Sequence, residues 1–248
     1  KTPLSELEID IISSLRKGEI NVGKFTINNT SVRLKYDDSS FSFNGLNFFK
    51  KQNELDNIEI PLIIFNNSEL MLTNINTEYT ENFKVDNLVA SLKRNIINVN
   101  AKFIHSSSTE PITFIFRGNP YKSGMKSKIF LSANSIKLPE NLLPQSFKQL
   151  DADRMSVRLW ISMLDTSIVR AAGNISSKSL NLKINGDLLN IKNVNSDLLF
   201  VNNDSSSTLS LMRMNYSIRD NKITNNKIVI NKNSNDDIKI FIKKHDAK

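Results

Sequence analysis

The sequence predicts an all-β fold with a minor helical share, and three observations carry that prediction. Apolar and polar residues alternate through most of the 248 residues, the two-residue period of half-buried strands. The alternating runs are separated by short polar stretches, which is the spacing of antiparallel meanders. With only 7 glycines in the chain, its 34 asparagines supply the turns, since Asn tolerates left-handed backbone.

The first element reads as a helix. Thr2 suits an N-cap and Pro3 the first helical position. Glu6, Glu8 and Asp10 sit toward the positive end of the helix dipole, with Arg16 and Lys17 toward the negative end before Gly18. Leu4, Leu7, Ile11 and Leu15 form one apolar stripe, expected to cap the end of a sheet.

Strand patterns follow. Val32, Leu34 and Tyr36 alternate with Arg33 and Lys35. Phe41 and Phe43 precede a tight Asn44-Gly45 turn. Ile58, Ile60, Leu62 and Ile64 form one run, Leu70 and Leu72 another, with Asn66-Asn67 read as the turn between them. Asn28-Asn29, Asn202-Asn203 and Asn225-Asn226 read as turn tips in the same way. Ile97, Val99, Ala101 and Phe103 come next, then Ile112, Phe114 and Phe116, then Ile129, Leu131 and Ala133. Residues 138–153 break the pattern with two prolines and read as short helical turns packed through Leu142, Leu143, Phe147 and Leu150. In all, about 15 or 16 strands are expected. The domain reading is a single elongated segment over residues 1–248, with a possible internal break at 138–153.

The stretch RMSVRLWISMLD, residues 154–165, is the clearest amphipathic strand. Met155, Val157, Leu159, Ile161 and Met163 share one side, and Ser156, Arg158, Trp160 and Ser162 the other. Leu180, Leu182 and Ile184 continue the pattern, followed by Leu198 and Phe200, Ile228 and Ile230, and Ile238, Ile240 and Ile242. Between them lie Leu209 and Leu211, with Met212, Met214, Tyr216 and Ile218 as the opposite register.

Conventional site chemistry is sparse. There is no cysteine and there are only two histidines, so thiolate chemistry is excluded and a zinc site is improbable. His105 reads as a solvated loop histidine and His245 as part of a charged tail. GNPYKSG, residues 118–124, lacks the ending of a phosphate-binding loop. Asp151 and Asp153, or Asp236 and Asp237, are carboxylate pairs by proximity alone. No catalytic residue, metal or cofactor is expected, and the chain reads as a non-enzyme.

The net charge of +8 suits an anionic surface, but no Arg-rich block interleaves with aromatics, so no nucleic-acid partner is expected. No apolar run is long enough to span a bilayer as a helix. The first residue is Lys and no signal peptide is visible, so the chain reads as a piece of a longer protein.

A sheet of this many strands must cover its apolar face, and the two helical stretches are too little for that. Either the sheet folds over on itself as a sandwich or barrel, or it curls into a trough whose lining meets a ligand. Acyl chains suit such a trough. Each buried CH₂ contributes about 0.8 kcal/mol and needs no directed hydrogen bond, so the lining carries no motif.

Residues 138–184 also resemble the AsmA-like family of bridge-like lipid transport proteins. The resemblance rests on Leu138-Pro139, Leu150, Leu159-Trp160, Gly173, Ile175, Leu180 and Leu182. Residues 208–230 are similar to the strand–turn–strand that follows in that family, and residues 18–49 to its meander. The resemblance implies a long, twisted, U-shaped antiparallel sheet, a β-taco, with an apolar inner groove. It implies a periplasmic segment of an inner-membrane-anchored bridge that carries phospholipid toward the outer membrane, the membrane contact lying outside this chain.

The expectation is therefore a phospholipid-conducting trough capped by the N-terminal helix. Its expected lining is Met155, Val157, Leu159, Ile161, Met163, Leu180, Leu182, Ile184, Leu198, Phe200, Ile228, Ile230, Ile238, Ile240 and Ile242. The alternatives are a closed β-sandwich with a structural or adhesive role in a bacterial envelope protein, and an outer-membrane barrel. A barrel predicts aromatic girdles, whereas this chain has one Trp and four Tyr.

Overall fold

A computed structural model of the chain describes residues 4–18, 22–36, 41–43, 46–48, 60–76, 78–105, 108, 110–119, 123–136, 150–152, 154–165, 167–184, 187–203, 205–218, 221–233 and 238–244. The expected Asn44-Gly45 turn, Ile58, the Leu142, Leu143 and Phe147 contacts, Asp153, Asp236, Asp237 and His245 lie outside these residues. Nearly all described residues are in strands and almost none in helix. The chain divides into two compact units, Lys1–Ser106 with Pro111–Ser127, and Ser107–Glu110 with Lys128–Lys248.

Unit 1 opens with β1 (Leu4–Ile9), followed by α1 (Ile11–Lys17). This corrects the expected N-terminal helix. Residues 4–9 read Leu-Ser-Glu-Leu-Glu-Ile, which fits a strand as well as a helix start. A ladder to β2 (Val22–Asn28) decides the matter, supported by a Lys24–Glu8 ion pair at 3.3 Å. α1 has seven residues, and its Ile11, Ile12 and Leu15 are exposed, so it caps no sheet.

β2 and β3 (Ser31–Tyr36) both run parallel to β6 (Ile60–Asn74), β2 along its first half and β3 along its second. β4 (Phe41–Phe43) and β5 (Leu46–Phe48) follow beside β3. β7 (Thr80–Lys93), β8 (Ile96–His105) and β9 (Ile112–Gly118) continue from β6 as an antiparallel meander. The sheet of unit 1 is therefore mixed, not antiparallel throughout.

Asn28-Asn29 and Asn66-Asn67 are not turn tips. The chain passes through both without reversing, with Asn29 at φ 54° and Asn67 at φ 47°. One left-handed residue rotates the strand so that side chains three apart share a face. Phe65 and Ser68 are both buried, and Val85 and Leu88 of β7 join Val32 and Phe65 in one cluster. The kinks are tied across three strands: Asn66 Nδ2 donates to Asn28 Oδ1 at 3.0 Å, and Asn87 Nδ2 donates to Asn66 Oδ1 at 2.9 Å.

Unit 2 contains β10 (Lys126–Ile136), β11 (Leu150–Ala152), β12 (Met155–Leu164), β13 (Ser167–Ile184), β14 (Asp187–Asn203), β15 (Ser206–Ile218), β16 (Asn221–Asn233) and β17 (Ile238–Lys244). β10 pairs with β12, and β11 and β12 lie end to end along β13. Leu150, expected in a helical turn, is thus in a strand opposite Leu182. From β12 to β17 each strand pairs antiparallel with the next.

Asn202-Asn203 does end β14 before a reversal, but Asn225-Asn226 lies inside β16. Unit 2 uses the same kink as unit 1. Asn193 and Arg213 have φ of 54° and 49°, and Ile191, Val194 and Met214 are buried together with Leu211 against them.

Within each unit, among the described residues, the extensive contacts join strands that are hydrogen-bonded neighbours. Among the described residues, no second layer of strands is stacked on the sheet within either unit. The strands belong to one large mixed sheet that is not closed into a barrel.

Candidate functional site

The pairing register of unit 2 aligns the apolar residues into two rows, because directly opposed residues of neighbouring strands project to the same face. One row runs Leu159, Gly173, Leu198, Leu211, Ile228, Ile242. The other runs Ile161, Ala171, Phe200, Leu209, Ile230, Ile240. Six strands thus share a continuous uncharged face. Its middle members are half-buried, and it opens fully at the edge, where Ile240 is 60% and Ile242 70% exposed.

Eight of the expected lining residues fall in these two rows. Val157 adds a third, shorter row opposite Ile175 and then Ser196, whose hydroxyl donates to the Met212 carbonyl at 3.1 Å. Met155 opposes Ser177, and Met163 opposes Ile168 beyond a register shift. Leu180 opposes Ile191, Leu182 opposes Leu189, Ile184 opposes Asp187, and Ile238 opposes Lys232. The side chains of Leu180, Leu182, Ile184 and Ile238 lie outside the described residues.

Sequence reasoning left Leu209 and Leu211 in two alternative registers. The kink at Arg213 shows why both looked plausible: 209 and 211 share a face with 214, 216 and 218. It also missed the role of Gly173. A Cβ there would meet the Arg158 carbonyl oxygen at 1.8 Å, so strands β12 and β13 approach as closely as they do only because residue 173 has no side chain.

The reverse face carries Arg158, Asn174 and Asp197 in register. Asn174 Nδ2 donates to Asp197 Oδ1 at 2.5 Å, and Arg213 Nε donates to Asp197 Oδ2. Trp160 is 52% exposed on this face and contacts Phe130, with ring centroids 5.3 Å apart.

Unit 1 holds the one buried ionisable pair among the described residues. His105, the last residue of β8, has Nε2 2.5 Å from Glu81 Oε2, and Tyr79 donates to the other carboxylate oxygen. Both residues of the pair are buried, and His105 packs against Phe83. This corrects the reading of His105 as a solvated loop residue: β7 and β8 bring it to the apolar face across a separation of 24 residues. Burial pushes the Glu81 carboxyl up, but hydrogen bonds from Tyr79 and His105 and the His105 charge outweigh this and hold its pKa below the ordinary value. No cluster of three metal-ligating side chains occurs among the described residues.

Two clefts occur among the described residues, and the one in unit 2 takes in Val157 and Ile175 of the short row. One in unit 1, of about 730 Å³, is lined in part by Glu69, Met71, Asn82 and Lys84. One in unit 2, of about 180 Å³, is lined in part by Ser156, Arg158, Asn174 and Asn195. The wall of the unit 1 cleft is more apolar than polar, and that of the unit 2 cleft is about evenly mixed. The apolar rows are an open face, not an enclosed cavity. No described helix is long and apolar enough to cross a membrane.

No family model matches the chain, and no significant match is found among curated proteins or solved structures.

Proposed function

We propose that the chain is a non-enzymatic lipid-binding segment. Its apolar sheet face curls into a trough that takes phospholipid acyl chains and passes them along, as one part of an inner-to-outer-membrane lipid bridge in a bacterial envelope. The observation that carries this reading is the pair of uncharged rows across β12–β17 with no second protein layer on them among the described residues. An aliphatic row of that length in water is costly, at about 25 cal/mol per Å² of apolar surface left wet. A hydrocarbon chain laid over it removes that cost without polar partners, and Lys232, two residues beyond Ile230 on the same face, suits a phosphate headgroup. The closed-sandwich alternative needs a facing sheet, and the contacts within each unit give it no support.

The test is mass spectrometry of organic extract from the purified chain. Phospholipid at one or more per chain is expected, and Leu159→Asp, at the β12 end of one row, should reduce it at least about tenfold because an unpaired charge on the apolar face is strongly disfavoured. Lipid-free protein after exposure to phospholipid vesicles would refute the reading.

A further inference from the structure

The reverse face of unit 2 sets an exposed aromatic ring among arginines. Trp160, the only tryptophan in the chain, is 52% exposed there and packs against Phe130. Arg158 precedes it by two residues on the same side of β12, about 7 Å away along the strand. On β13, Ala172 stands opposite Trp160, and Arg170, opposite Ser162, is its diagonal neighbour. The indole is thus an open apolar platform beside two guanidinium groups.

Neither arginine has an ion-pair or hydrogen-bond partner among the described residues. The carboxylates beside the cleft of unit 2 are already engaged. Asp197 accepts from Asn174 and Arg213, and Glu110 accepts from Asn134 at 2.6 Å.

That cleft, of about 180 Å³, includes Arg158 in its wall. Ser156 opposes Ser176, and Ser176 opposes Asn195, so the three project to this same face beside Asn174. The side chains of Ser176 and Asn195 hold no hydrogen bond among the described residues. Hydroxyl and amide groups both donate and accept. They match a ligand rich in hydroxyls, which does the same, better than a phosphodiester backbone, which only accepts.

We propose that this face binds an acidic sugar unit of a polysaccharide. Its carboxylate sits on Arg158, the CH side of its ring on Trp160, and its hydroxyls toward Asn174 and Asn195. A guanidinium meets a carboxylate through two parallel N–H donors, and an indole face covers apolar ring surface. Two residues along a strand is close to the length of a pyranose ring with its carboxylate. The site lies opposite the aliphatic rows and stands whether or not those carry lipid.

Because Trp160 is the only tryptophan, its fluorescence reports this site alone. Trigalacturonate should change the emission saturably and bind at least about tenfold more tightly than maltotriose, which has rings and hydroxyls but no carboxylate. Arg158→Gln should weaken trigalacturonate binding at least about tenfold. Lys222→Gln removes the same charge at the start of β16 and should change it by less than about twofold. Trp160→Ala, followed by calorimetry, should weaken it about fivefold. Circular dichroism establishes that each variant retains its strands. No saturable change with trigalacturonate, equal affinity for the two sugars, or equal losses from Arg158→Gln and Lys222→Gln would overturn the proposal. Tighter binding of a single-stranded DNA oligonucleotide would overturn it as well, and would assign the face to nucleic acid.

Discussion

The two units use the same bend and put it to different ends. In unit 1 the left-handed Asn67 turns Phe65, Val32 and Val85 into a tight cluster, with Val85 only 3% exposed. Unit 1 then spends part of its apolar face on a buried Glu81–His105 pair. In unit 2, Asn193 and Arg213 gather Ile191, Val194 and Met214 at one end of the strands, and beyond them the face runs on as half-exposed aliphatic rows without a charge. One sheet can therefore be self-covering where it is kinked and open where it is straight. The stability of such a chain should reside at the kinks, and its binding surface between them.

The sharpest way to break this contrast is by truncation. Phe65→Ala should destabilise by about 3 kcal/mol, because its site at the kink is buried and leaves a cavity. Leu198→Ala, in the middle of an open row, should cost only about 1 kcal/mol. Urea unfolding of the two variants measures both, and equal losses would mean that the rows are as well packed as the kink.

Gly173→Ala comes next, at about 2 kcal/mol. The added methyl must displace the Arg158 backbone, so the loss is one of strand spacing, not of apolar area. A neutral result would show that β12 and β13 can move apart freely.

The smallest effect is in pH dependence. The folded-state pKa of Glu81 is lowered, so its contribution is present above the unfolded carboxylate range and is lost as pH falls through the folded value. Stability should drop below the ordinary glutamate range more steeply in the native chain than in Glu81→Gln. Identical profiles from pH 6 to pH 3 would remove the pair from the account.

Most strands were legible because alternation is a local signal. Met155 to Met163 and Ile97 to Phe103 lie in strands as read. The failures were not local. Residues 4–9 satisfy both a helical stripe and a two-residue period, and only the ladder to β2 selects the strand. Asn66-Asn67 has turn chemistry, yet the backbone uses its left-handed conformation to twist a strand that continues for seven more residues, to Asn74. β7 went unread because its kink interrupts the alternation between Val85 and Leu88.

For the candidate site, each strand's apolar side could be read, but alignment between strands could not. Register joins Leu159 to Ile242 through four intervening residues that no sequence period connects. The Glu81–His105 pair was hidden for the same reason.

The most direct test of an open lipid-bearing face uses two adjacent residues. Leu198 belongs to an apolar row, and Leu199, equally half-buried, projects to the reverse face. A photoreactive benzoylphenylalanine at each position, irradiated in the presence of phospholipid vesicles, reports which face meets acyl chains. Cross-linking to phospholipid at position 198 and little at 199 is the predicted result. Equal labelling at the two positions, or labelling at 199 alone, would contradict it.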